Sequence, residues 1–102
     1  MKIVIREGVW YSQGDENAFF HRLYDMTCIK TIVGGADGLT IQFKRPPSRT
    51  QLRELIALLY RYGLDMTPLA ALKTPRNAEW FDNTDKFWHE SVFGKRKRKS
   101  RK

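Results

Sequence analysis

Cysteine is almost absent from this sequence, since Cys28 is the only one among 102 residues. A single thiol excludes an intramolecular disulfide. The N-terminal stretch MKIVIREGVW has too short an apolar part, and is charged too early, for a signal peptide. No run of about 18 apolar residues occurs, which argues against a membrane span. We therefore expect a protein of a reducing compartment, with a cytoplasmic localisation.

The spacings that hold metals or activate nucleophiles are also missing. His21 and His89 stand far from each other and from Cys28, and no CxxC, HxxxH or HExxH pattern occurs. Cys28 lies in an apolar stretch without a recognised base, so we expect a buried, inert thiol. An enzyme would need His21, Cys28 and an acid to cluster in the fold. We predict instead a protein that is not an enzyme and needs neither cofactor nor metal.

Basic residues exceed acidic ones by eight, and the excess is confined to one end of the chain. Residues 95–102 read KRKRKSRK and hold seven of the 19 Lys and Arg, with no acid. The other 12 basic residues stand against all 11 acidic ones, so residues 1–94 are nearly neutral. We therefore predict one globular domain over 1–94 and a basic, disordered tail over 95–102.

The best-signalled element is an amphipathic helix between Ser48 and Gly63. Ser48 followed by Gln51 three residues later is typical of a capping box, and the prolines at 46–47 prevent an earlier start. Gly63 stands where a left-handed residue ends a helix. The core face follows i, i+3, i+4, i+7 spacing and consists of Leu52, Leu55, Ile56 and Leu59.

Three strands and a second long helix precede this element. The strands are β-branched or alternate between apolar and polar residues. The helix has one apolar face and begins after a capping Gly14 or Asp15. The turn GGADG at 34–38 leads into a strand rather than a helix, which indicates a hairpin rather than a phosphate loop. In order, the predicted elements are the strand Lys2–Arg6, the helix to about Met26, and the strands Cys28–Val33 and Leu39–Lys44.

The order β-α-β-β-α, followed by short helices, predicts an α+β fold. A helix of about 12 residues between the first two strands permits them to be parallel neighbours through a right-handed crossover. The next two strands form an antiparallel hairpin. We therefore expect a three-stranded mixed sheet with both long helices on one face.

Short helices are predicted in the last third of the chain. Thr67-Pro68 and Thr74-Pro75 each resemble an N-cap followed by proline at the first helical position. The predicted helices lie near Pro68–Leu72, Pro75–Phe81 and Asp85–Phe93. We expect the aromatic residues of this region to close one end of the core: Trp80, Phe81, Phe87, Trp88 and Phe93.

Four segments resemble a group of small bacterial α/β proteins. These segments are GVWYS, GDENAFF, LRELIALLYRYGLDM and the ending EWF…FWHESVFG. Some proteins of this size and layout are similar to immunity proteins of toxin systems, including contact-dependent growth inhibition. The resemblance implies a cytoplasmic, non-enzymatic protein that blocks a toxin by binding it. Immunity proteins against nucleases are often acidic, whereas this domain is neutral with a basic tail, so a nuclease partner is the less expected one.

Protein binding is the function that these features favour. Trp10 and Tyr11 are consecutive in a predicted connection, so they cannot both be expected in the core. Arg49, Arg53 and Arg61 fall away from the core face of the central helix. Trp, Tyr and Arg are the residues enriched at interface hot spots. We therefore predict that these five residues contact a partner protein. If the resemblance holds, this partner is a toxin domain.

The tail supports an alternative function, weak and sequence-independent nucleic-acid binding. Seven like charges in eight residues stay extended and can neutralise phosphates in a salt-dependent way. No helix-turn-helix, RNP or zinc-finger signature accompanies them. The predicted nucleic-acid-binding residues are Lys95, Arg96, Lys97, Arg98, Lys99, Arg101 and Lys102.

Overall fold

The computed structural model describes residues 1–6, 10 and 12–94. An α+β fold is confirmed: a three-stranded sheet combined with helices. No helix within the described ranges is both long and apolar enough to cross a membrane. The elements are β1 (Lys2–Ile5), α1 (Gln13–Tyr24), β2 (Ile29–Gly35), β3 (Gly38–Phe43), α2 (Arg49–Arg61), a 3₁₀ helix (Thr67–Leu72), α3 (Ala78–Phe81) and α4 (His89–Phe93).

The sheet is antiparallel throughout, rather than mixed as predicted. Its strand order is β1-β3-β2, so β3 pairs antiparallel with both neighbours. The row of Ile3, Ile41 and Ile32 crosses the three strands in register. The predicted hairpin between β2 and β3 is present. β1 and β2 are not neighbours, because β3 lies between them, and the connection through α1 spans the width of the sheet.

One face of the sheet is buried and the other faces solvent. Along β1 the side chains of Ile3 and Ile5 are buried, while Lys2 and Val4 are exposed. The buried face of β3 packs in the same core as α1 and α2. Both long helices therefore cover one face of the sheet, as alternation along the strands predicts.

Local signals define α2 at both ends. Ser48 accepts a hydrogen bond from the Gln51 amide, and the Gln51 side chain accepts one from the Ser48 amide, which completes the capping box. Gly63 has a φ of 67°. The amides of Gly63 and Leu64 donate to the carbonyls of Tyr60 and Leu59, which is the Schellman pattern. All four residues of the predicted core face are buried.

The other helices begin at different residues from those predicted. α1 is capped by the side chain of Ser12, rather than by Gly14 or Asp15. α3 begins at Ala78 because residues 75–77 form a turn first. α4 is reduced to His89–Phe93 and ends at Gly94, which has a φ of 84°. Four aromatic residues of this region pack in or against the core as predicted, but Phe87 is 58% exposed.

Candidate functional site

The first residue of α2 contacts an aromatic ring of α3. The guanidinium carbon of Arg49 lies 5.2 Å from the centroid of the half-buried Trp80 ring. Trp80 in turn meets Trp88 edge to face, with ring centroids 6.0 Å apart. A guanidinium within about 6 Å of an indole is attracted to the negative face of the ring. This attraction holds Arg49 beside the Trp80 ring.

A groove of about 900 Å³ opens beside this contact. Its walls are the connection between β3 and α2, the first turn of α2, and the chain from Leu72 to Trp80. Leu52 and Leu72, both almost fully buried, close its floor, and three prolines stand in its walls. We call it the Arg49–Trp80 groove.

The groove carries positive charge. Arg45, Arg49 and Arg76 line it, together with one acidic residue, Glu79. Among the described residues, no salt bridge includes any of these arginines. Arg45 donates instead to the hydroxyl of Thr27 at 3.1 Å. Positive charge is thus concentrated here although residues 1–94 are nearly neutral.

Hydrogen bonds hold the loop that forms one wall of the groove. The Thr74 amide donates to Asn77 Oδ1 at 2.8 Å, and the Asn77 amide donates to Thr74 Oγ1 at 3.2 Å. Asn77 Nδ2 also donates to the carbonyl of Leu72 at 3.0 Å. Pro75 has a fixed φ within the same loop. The backbone of Arg76 therefore lies in a turn whose conformation is stabilised by these hydrogen bonds.

An exposed aromatic pair lies further along the same face of α2. The rings of Tyr60 and Phe87 meet edge to face with centroids 4.8 Å apart, although both residues are more than half exposed. At about 100° per residue, Arg49, Arg53 and Tyr60 fall within about 40° of one another around the helix. Phe87 also contacts Trp88, which joins the pair to Trp80. We call the surface formed by Arg49, Arg53, Tyr60, Trp80 and Phe87 the arginine–aromatic face.

A partly buried ionic cluster holds the C-terminal segment behind this face. Asp82 lies 2.6 Å from Lys73 Nζ and 2.7 Å from His89 Nε2. The hydrogen bond from Lys73, with a smaller contribution from His89, lowers the pKa of Asp82 below its ordinary value. The Trp88 indole donates to the Phe81 carbonyl at 2.9 Å. These contacts join the 3₁₀ helix, α3 and α4, and they position the segment that bears Trp80 and Phe87.

The structure separates the predicted partner-binding residues. Arg49 and Arg53 lie together on the arginine–aromatic face. Arg61 is exposed but lies about 120° around α2 from Arg49 and about 18 Å along its axis. Tyr11 lies outside the described residues, and so do the nucleic-acid-binding residues predicted at 95–102.

Trp10 packs against the core at the opposite end of α2. Its ring centroid lies 5.0 Å from Phe19, 6.2 Å from Phe20 and 5.8 Å from Tyr62. The indole Nε1 is buried and has no hydrogen-bond partner among the described residues. Trp10 therefore stabilises the domain, and the structure does not bring it together with Arg49 and Arg53.

The candidate chemical groups do not assemble a reactive centre in the described chain. Burial raises the pKa of the Cys28 thiol, which disfavours the reactive thiolate. His21 is paired with the exposed Asp25, and the buried His89 is paired with Asp82. No group of three or more His, Cys, Asp or Glu within 1–6, 10 and 12–94 could hold a metal ion.

Sequence patterns missed part of the arginine–aromatic face. Phe87 was expected in the core, because aromatic residues beside an apolar stretch are most often buried. Trp80 packs against the core as expected, but no pattern placed it beside Arg49. Arg45 and Arg76 belong to no recognised sequence motif, so nothing marked them as site residues. One local signal was available: Arg49, Arg53 and Tyr60 are spaced by four and seven residues, which places them on one side of a helix.

No protein-family model, no curated protein and no solved structure matches this chain. A function is therefore inferred from the chain's own residues.

Proposed function

We propose that this protein is a non-enzymatic protein-binding module whose partner docks on the arginine–aromatic face. One observation carries the proposal: Tyr60 and Phe87 pack against each other at the surface, 54% and 58% exposed, instead of entering the core. An apolar pair held in water is stabilised when a partner covers it. Tyr, Trp and Arg are also the side chains most enriched at binding hot spots.

The rigidity of this face supports the same function. Each of its aromatic rings contacts another ring, and Arg49 is held over Trp80. Side chains that are already ordered lose little conformational entropy when a partner binds. The α2 helix beneath them is capped at both ends and buried on the adjoining side. The arginine–aromatic face would therefore bind a partner without a large change in its own conformation.

The resemblance to immunity proteins supports a more specific role. In this role the protein acts in the cytoplasm, binds a toxin or another effector, and blocks it without catalysis. A face of arginine and aromatic residues would suit a partner whose docking surface is acidic. The partner of such a protein would be a protein rather than a metabolite.

The basic tail supports a second candidate function, weak binding of nucleic acid. Seven Lys and Arg lie between residues 95 and 102, and their phosphate contacts would be independent of base sequence. Salt separates the two functions. Binding through the tail would be lost at moderate ionic strength, whereas docking on an apolar pair would persist.

A capture experiment with matched surface variants tests the proposal. The full chain, Tyr60→Ala/Phe87→Ala and Tyr24→Ala are immobilised and exposed to nuclease-treated lysate of the source cells. Tyr24 is the control, because it is a helical tyrosine that is 64% exposed on α1. We expect one protein to be retained by the full chain and by Tyr24→Ala, and lost from the double variant.

Direct binding completes the test. The retained protein, once identified and purified, should bind the double variant at least about tenfold more weakly than the unmodified chain. Equal binding by all three proteins would reject this face as the docking surface. In a parallel capture from lysate without nuclease, retention of nucleic acid alone, lost as salt is raised, would favour the tail instead.

A further inference from the structure

We propose that the Arg49–Trp80 groove binds an acidic peptide segment of the partner protein. Aspartate and glutamate carboxylates would pair with the arginines of the groove, and an apolar side chain would rest on its floor. The inference depends on the proposed function, because it names the part of the protein partner that enters this groove.

Charge complementarity is the first argument. Three guanidinium groups line the groove against the single carboxylate of Glu79. Among the described arginines, Arg22 is neutralised by a carboxylate, that of Glu54, at 2.8 Å. Arg45, Arg49 and Arg76 have no such pair among the described residues. Their mutual repulsion would be relieved by a ligand with several negative charges.

Two of the three guanidinium groups are already oriented. Arg49 lies over Trp80 at 5.2 Å, and Arg45 donates to Thr27 Oγ1 at 3.1 Å. Thr27 is itself fixed, because Gln51 Nε2 donates to the same hydroxyl at 2.9 Å. A guanidinium has five N–H donors, so each of these arginines retains donors for a carboxylate. Oriented arginines bind carboxylates in two-point contacts with little loss of entropy.

The shape of the groove suits a short peptide. Its volume of about 900 Å³ is near the upper end of the range for ligand sites. The floor of Leu52 and Leu72 and the wall of Pro46, Pro47 and Pro75 are apolar. A bare inorganic anion would leave this apolar surface in contact with water, whereas a leucine or similar side chain would cover it.

The stacking of Arg49 on Trp80 favours a peptide over a nucleic acid. Single-stranded nucleic acids bind with their bases stacked on open aromatic faces. One face of Trp80 is covered by Arg49, and its ring also contacts Trp88. A base that stacked on the face covered by Arg49 would have to displace it, whereas a carboxylate can pair with the guanidinium without doing so.

An NMR titration with a synthetic peptide tests the inference. The probe is acetyl-Asp-Glu-Leu-Glu-Asp-amide, added to the ¹⁵N-labelled full chain. We expect shifts at the amides of the first turn of α2 and at the Trp80 indole. The neutral peptide acetyl-Asn-Gln-Leu-Gln-Asn-amide should bind at least about tenfold more weakly, because it keeps the shape and loses the charge.

Matched arginine variants locate the site. Arg49→Gln/Arg76→Gln should weaken binding of the acidic peptide at least about tenfold, while Arg61→Gln at the far end of α2 changes it less than about twofold. Arg76→Glu is an independent variant, since Arg76 is exposed and has no described ion pair that its loss would break. Each variant's own spectrum shows whether the fold is retained.

The outcomes separate this inference from the proposed function. Equal affinity for the acidic and neutral peptides, or for the chain and Arg49→Gln/Arg76→Gln, would overturn the groove as an acidic-peptide site. If a thymidine oligonucleotide shifts the NMR signals of the groove residues and the acidic peptide does not, the ligand of the groove is a nucleic acid rather than a peptide. If the captured partner requires Tyr60 and Phe87 but neither Arg49 nor Arg76, the proposed function stands and the groove inference fails.

Discussion

The carbonyl oxygen of Ile5 lies so close to Gly38 that a Cβ atom at Gly38 would stand 2.4 Å from it. Gly38 also has a φ of 123°, a conformation that residues with a side chain rarely adopt. The position opens β3 directly beside the end of β1. The glycine therefore serves the pairing of β1 with β3 as much as the turn between β2 and β3.

Substituting Gly38 should destabilise the domain. We expect Gly38→Ala to lower the free energy of unfolding by about 2–4 kcal/mol, because the new methyl group meets backbone atoms in a strained conformation. Gly35→Ala is the control, since the nearest atom to its Cβ is 4.0 Å away, and it should change stability by less than about 1 kcal/mol. Urea denaturation measures both. Equal stability of the two variants would contradict the close approach.

Trp10 should behave as a core residue, although its place in a predicted connection suggested a binding role. The indole packs on Phe19, Phe20 and Tyr62, and we expect Trp10→Ala to cost about 1–3 kcal/mol. Trp10→Phe should cost less than about 1.5 kcal/mol, because it keeps a ring and loses only an unpaired N–H. Thermal and chemical denaturation measure both variants. If the denaturation midpoint of Trp10→Ala equals that of the unmodified chain, Trp10 is a surface residue and not part of the core.

Asp82 should make stability depend on pH in the acidic range. The hydrogen bond from Lys73 lowers the pKa of Asp82 in the folded chain below its ordinary value of 3.8. The carboxylate therefore stabilises the fold fully above that value, and this contribution is lost as pH falls through the lower folded-state pKa. We expect Asp82→Asn to be less stable at neutral pH and to lose less stability on acidification.

Urea denaturation from about pH 7 down to about pH 2.5 checks this prediction. Asp25→Asn is the matched control, because Asp25 is an exposed aspartate that lies 3.6 Å from His21. Its curve should follow that of the unmodified chain. Parallel curves for the unmodified chain and Asp82→Asn would show that the Lys73 hydrogen bond contributes no pH dependence.

The stacking of Arg49 on Trp80 should be measurable as a coupling energy. In a double-mutant cycle of Arg49→Ala and Trp80→Leu, we expect a coupling of about 0.5–1 kcal/mol, the range for exposed cation–π pairs. Arg53→Ala replaces Arg49→Ala in the control cycle, because Arg53 has no described contact with Trp80. Its coupling should be close to zero. The same coupling in both cycles would mean that no specific stacking exists.

Sequence patterns predicted the features of this protein whose interacting residues are close together along the chain. α2 was predicted with its cap, core face and ending glycine, because Ser48 to Gln51 and Leu52 to Leu59 interact within two turns. The hairpin of β2 and β3 was predicted for the same reason. The mixed sheet was wrong, because both β2 and β3 offer an open edge to β1 and neither pattern favours one edge over the other.

The site was predictable only in part. Arg49 and Arg53 could be placed on the exposed side of α2 from spacing alone. The aromatic residues from outside α2 could not be placed on this face, since Trp80 and Phe87 lie in a segment of short helices whose start points depend on tertiary packing. An aromatic residue in such a segment has no periodic signal that separates a buried ring from an exposed one.

The sequence by itself determined the capped central helix, the α+β class and the concentration of basic charge at residues 95–102, because each depends on neighbouring residues. The tertiary structure alone decided that β3 lies between β1 and β2, that Trp10 joins the core, and that Arg49 meets Trp80. These outcomes depend on which distant surfaces bury apolar area together. The free energy gained by burying apolar area depends on the whole packed chain and cannot be inferred from any short segment.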